Sequence, residues 1–224
     1  MSEYTDYFKA VKACSNDAQS ALMWLWDQID LSDPEYAKAV LFEYLPAIVE
    51  MYGEAAAEAA AEMYEAVMIA EINASRNIAI AGINSDGITR SVRYAAGFIY
   101  EGNYTKALSV LSRAVDYYVK QPARDTIEQN VKIDKEARFA RVPQGPTTCE
   151  FCLMLASRGF VYLSKESASH GYHTDCDCLP VVSFSDDPAV EGYDPDYYYD
   201  LYQQMQDKDK WNRAHQRKKD EGRL

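Results

Sequence analysis

The residues of this chain that could do chemistry are concentrated between Arg141 and Pro180. Four of its five cysteines and two of its three histidines lie there. Cys149 and Cys152 form a C-x-x-C pair, and His173, Cys176 and Cys178 form an H-x-x-C-x-C group. Two residues between cysteines let both thiolates of a tight turn face one ion, and a second group returned by a loop completes a tetrahedron. The spacing predicts a structural zinc site. Cys149, Cys152 and His173 supply three ligands, and either Cys176 or Cys178 the fourth. His170 is a weaker ligand candidate, by default a solvated loop residue.

Three other uses of these residues compete with that one. Buried free cysteines often pack as small hydrophobes, but scatter does not gather four of five into two clusters of ligand spacing. Disulfides need an oxidising compartment. The opening Met1-Ser2-Glu3-Tyr4 is polar and acidic, without the apolar run of a signal peptide, so a reducing, cytoplasm-like setting and metal are expected instead. A catalytic zinc needs an open position and a nearby base. No H-x-E precedes the C-x-x-C, Thr148 rather than proline stands before Cys149, and Glu150 sits between the two cysteines. The expectation is therefore not an enzyme. A zinc-dependent nuclease or hydrolase is the alternative, with Glu150, Asp175 and Asp177 as its nearest carboxylates.

The elements that must position these residues are mostly helical. The fold class expected is mainly α: a helical body over 1–140, a small α+β zinc-knuckle-like module over 141–185, and an acidic, tyrosine-rich arm with a basic tail over 186–224. Asn16-Asp17 reads as the cap of a first helix, and Ser32-Asp33-Pro34-Glu35 as the start of a second that runs to about 74. Pro46 should kink it. Glu54, Glu58 and Glu62 form an acidic stripe at four-residue spacing, solvated by default and a docking face at its sharpest. After a turn at 84–87 come helices over about 88–100, 103–120 and 123–137, the second ended by Gln121-Pro122. In the module, 152–157 reads as a short helix. Segments 160–163 and 179–184 read as strands that could pair. A last helix is expected over about 196–218.

Net charge is -12. An acidic chain is a poor general nucleic-acid ligand. Only the tail, with Lys208, Lys210, Arg213, Arg217, Lys218, Lys219 and Arg223, could touch DNA by charge alone, and by default it is a solvated terminus. No apolar run reaches the roughly 20 residues that span a bilayer, so no membrane partner is expected, and no small-molecule substrate.

The run R-F-A-R-V-P-Q-G-P-T-T-C-E-F-C-L-M-L-A-S-R-G-F-V-Y from Arg138, followed by H-T-D-C-D-C, resembles the MuF-type minor head proteins of tailed bacteriophages, in the variant found in phages of actinobacteria. The strong match covers about 45 residues around the cysteines. The resemblance implies a structural minor capsid protein acting in head morphogenesis, in contact with portal or major capsid protein, interior or portal-proximal in the virion and in the host cytoplasm during assembly. It carries over the five cysteine and histidine positions and no catalytic residue.

Overall fold

Asp33 accepts a hydrogen bond from the Tyr36 amide (3.1 Å), and Pro34 follows it in the first turn. A capping oxygen and a proline placed where no amide is needed start a 39-residue helix, as the sequence predicts. Asn84 and Asn103 cap two later helices in the same way, each accepting from an amide three residues on. The computed structural model describes residues 3–145, 148–164, 166–168 and 171–220, without the side chains of 211, 212 and 214–220. Its elements are α1 Glu3–Gln28, α2 Pro34–Ile72, α3 Ser85–Tyr100, α4 Tyr104–Ile133, β1 Arg138–Val142, α5 Glu150–Ala156, β2 Leu179–Ser183 and α6 Pro195–Asp220. The fold is mainly α, with a small α+β region carrying the cysteines.

Two apolar clusters fill the helical bundle. One joins Leu22 and Leu25 of α1, Leu41 and Leu45 of α2, Ile88 and Val92 of α3, and Leu111 and Val115 of α4. The other joins Tyr4 and Tyr7 of α1, Tyr64 and Val67 of α2 and Ile127 of α4 to Phe139 of β1, Leu155 of α5 and Val181 of β2. So α1, α2 and α4 run through both clusters, and the cysteine-bearing segments are built onto the second. Between α2 and α3 the chain passes as an extended strap across α4. Asn130, wholly buried, donates to the Ala79 carbonyl (2.7 Å) and accepts from the Ala79 amide (3.1 Å), while Thr126 accepts from the Ala81 amide (3.0 Å). Arg76 closes the strap with a bidentate pair to Asp134. Such partners answer the backbone groups that an irregular segment leaves open.

Three expectations are corrected. The first helix begins at Glu3, not near Asn16-Asp17, which face solvent in mid-helix. Tyr4, Tyr7 and Val11 bury against the second cluster and carry α1 back to the start. α4 continues through Pro122. The ring seats against Gly53 of α2, its Cγ 3.3 Å from where a Cβ there would stand. The apolar residues beyond it, Ala123, Ile127 and Val131, hold the helix together despite the lost backbone bond. Finally, β2 pairs with 138–142 rather than with 160–163. The pairing is antiparallel, with register Arg138↔Ser183 through Val142↔Leu179. Tyr162 adds a single bridge to Phe139 on the other side of β1.

Leu41→Ala removes a wholly buried side chain from the first cluster. It is expected to lower unfolding stability by about 2–5 kcal/mol in denaturant titration. Met51→Ala, on an exposed stretch of α2, is expected to change it by less than about 0.5 kcal/mol.

Candidate metal centre

Cys149 is the cap of α5. Its sulfur accepts from the Cys152 amide (3.4 Å), and the next helical turn brings Cys152 round beside it. The second segment is returned along β2. There the Cys176 amide donates to the His173 carbonyl (3.0 Å), a tight turn that leaves His173 and Cys176 on one side. The Cys178 amide then donates to the Cys176 sulfur (3.4 Å).

The two segments converge. Cys149 Sγ lies 3.7 Å from His173 Nδ1, and Cys152 Sγ lies 3.2 Å from Cys176 Sγ. Cys149, Cys152 and His173 form one group whose donor atoms all lie within 4.8 Å, and Cys152, Cys176 and Cys178 form another, so Cys152 belongs to both. For bonds of about 2.3 Å to sulfur and about 2.0–2.1 Å to nitrogen, tetrahedral edges of about 3.5–3.8 Å are required. The donor types and the Cys149–His173 edge fit that demand, and Cys152–Cys176 is somewhat tighter. The cluster can hold a metal ion. A cavity of about 260 Å³ lies against all five side chains. Cys149 and His173 stand at its exposed edge, while Cys152, Cys176 and Cys178 are buried. His170 lies outside the described residues.

Without a metal, the buried thiols share their protons unevenly. Hydrogen bonds from Cys152 first, and then from Cys178, pull the Cys176 thiol well below the usual thiol range, and the Arg124 charge adds to them. The bond to Cys176 in turn raises Cys152. At Cys178 the bond to Cys152 lowers the thiol, but the bond to Cys176 and burial outweigh it and carry it up to about 12. Arg141 Nη2 stands 3.8 Å from the Cys176 sulfur. A thiolate approached by cations and amide donors is the form that binds metal.

The surroundings were not legible as site residues. Arg124 and Arg141 are buried and both stand over the Tyr172 ring, 4.2 and 3.7 Å from its centroid. Arg124 donates from Nε to the Cys178 carbonyl (3.1 Å) and from Nη2 to the Cys176 carbonyl. Arg141 donates from Nη1 to the Gly171 carbonyl (2.7 Å). Tyr172 donates its hydroxyl to Glu128 Oε1 (2.9 Å). Burial first, and then the Glu128 charge, hold that phenol well above its ordinary range, so it stays a donor. Two of the three neighbouring carboxylates are engaged: Asp175 by Arg113 and Asp177 by Lys120. The sequence signal that could have found these partners is the spacing of Arg113, Tyr117, Lys120, Arg124 and Glu128 on one face of a helix.

Tyr172→Phe removes a buried hydroxyl whose acceptor is a carboxylate. It is expected to cost about 1–3 kcal/mol in thermal or denaturant unfolding. Tyr94→Phe, on an exposed ring, is expected to cost less than about 0.5 kcal/mol.

A family model described as VG15 protein matches residues 1–205. No curated protein and no solved structure matches the chain. Among the described residues, no helix is long and apolar enough to cross a membrane.

Proposed function

We propose, since the chain belongs to the VG15 protein family and is therefore phage-related, that it is a structural minor capsid protein of a tailed bacteriophage, of the MuF type. Its work is assembly of the head. The helical bundle is the body, and the cysteine-bearing region is a rigid knuckle that meets portal or major capsid subunits. Zn²⁺ is the metal, held by Cys149, Cys152 and His173 with Cys176 or Cys178. It cross-links two segments that are distant in sequence and tightens a region whose apolar residues already pack on the helical core. The observation that carries the reading is the convergence of the C-x-x-C turn and the H-x-x-C-x-C loop on one another. Sulfur and imidazole donors favour zinc over magnesium or calcium. The acidic N-terminal helices and the tyrosine-rich arm are the surfaces for capsid partners, and the basic tail is the part that could touch packaged DNA.

The hydrolytic alternative draws on the exposed edge formed by Cys149 and His173. Against it stand Asp175 and Asp177, both already paired with cations of α4. Metal-dependent cleavage of DNA by the purified chain, lost in Cys152→Ser, is the result that favours an enzyme.

The assembly reading is tested by Cys152→Ser in a phage-producing cell. The expected outcome is loss of zinc from the recovered protein and a severalfold fall in its incorporation into heads. A metal-free variant incorporated at the normal level contradicts the reading.

A further inference from the structure

The face of α4 that looks at the H-x-x-C-x-C loop carries one cation for each part of it. Arg113 makes two bonds to the Asp175 carboxylate. Seven residues on, Lys120 donates to Asp177 (3.0 Å) and to Asp116 of its own helix (2.9 Å). Asp116 also accepts from Ser15 of α1, so Lys120 is itself held from two sides. Four residues further, Arg124 donates to the carbonyls of Cys176 and Cys178. Lys120 is largely covered and Arg124 wholly buried, whereas the Arg113–Asp175 pair is exposed and contributes least.

We infer that Arg113, Lys120 and Arg124 of α4 are positioning residues for the metal centre. They fix the His173–Cys178 loop in its ligating shape before an ion arrives, and Arg113 and Lys120 occupy the loop's two aspartates, which line the same cavity as the five candidate ligands. This rests on the metal reading above. An aspartate follows or precedes each cysteine in H-T-D-C-D-C, so a free loop would also offer the ion carboxylate oxygens. Tied to Arg113 and Lys120, both carboxylates are spent, and the donors left to the ion are sulfur and imidazole. A loop already ordered loses less conformational freedom when it binds, which raises affinity without adding a ligand. Partners one step beyond the ligands commonly change metal affinity by about 10–100-fold.

The test uses the full chain with Lys120→Met, which keeps the apolar stem and removes the charge, and Lys120→Arg, which restores it. Two readouts are taken: Zn²⁺ affinity by chelator competition, and amide exchange of 173–178 in the metal-free protein. Lys120→Met is expected to bind Zn²⁺ about tenfold more weakly and to lose protection at the Cys176 and Cys178 amides. Its metal-free melting temperature should stay near that of the wild type, and Lys120→Arg should recover both losses. Unchanged affinity with unchanged protection overturns the inference. So does weaker binding with protection intact, because the loss would then not come through the order of the loop. A wild-type chain that takes up no Zn²⁺ defeats the metal reading itself, and the protection difference alone then decides whether this face holds the loop.

Discussion

Arg124 is a guanidinium with no access to water, and the site brings acceptors to two of its three nitrogens, Nε and Nη2. A buried cation without partners costs several kcal/mol, so its place in α4 obliges something to bring acceptors to it. The carbonyls of Cys176 and Cys178 do so, and the face of Tyr172 covers the group from one side. Those contacts fix the path of the H-x-x-C-x-C loop. Arg141 repeats the arrangement from β1, also over the Tyr172 ring, with the Gly171 carbonyl and the Cys176 sulfur as its partners. Helix, strand and loop are thereby joined through one ring and two guanidinium groups.

The bundle exists, in this account, to present that arrangement. α4 is long because it must serve two clusters and the loop together. Its apolar side packs on α2 and α3, its polar buried residues Thr126 and Asn130 hold the strap, and its charged side holds the loop. Glu71 of α2 makes a comparable contribution where β2 ends. It accepts from the Ser183 hydroxyl and the Phe184 and Ser185 amides, which pins the exit of the strand. The cysteine region is therefore a surface grown on a helical core that it shares, and an ion would tighten a shape that side chains already outline.

Much of this was legible in the sequence, and the parts that were not have physical causes. Ligand-type residues at short fixed spacing announce themselves, and the structure gathers these five into two groups of three that share Cys152. The Asp33-Pro34 cap was equally plain, because capping is local. β1 was missed because Phe139–Val142 are all buried, Arg141 included, so the alternation that marks a half-exposed strand is absent. The start of α1 was missed because the residues it buries there are two tyrosines and a valine set among charged neighbours. Pro122 read as a stop because nothing local shows that a glycine in another helix makes room for its ring. The cations of α4 carry no local mark of their role, since their partners are 52–62 positions away.

The central claim is that one ion joins the C-x-x-C turn to the H-x-x-C-x-C loop through sulfur and imidazole alone. X-ray absorption on the zinc-loaded full chain tests it most directly. The account predicts one ion per chain with a shell of sulfur at about 2.3 Å and nitrogen at about 2.0–2.1 Å, and no solvent oxygen. An oxygen ligand in that shell, or a chain that retains no ion, contradicts it.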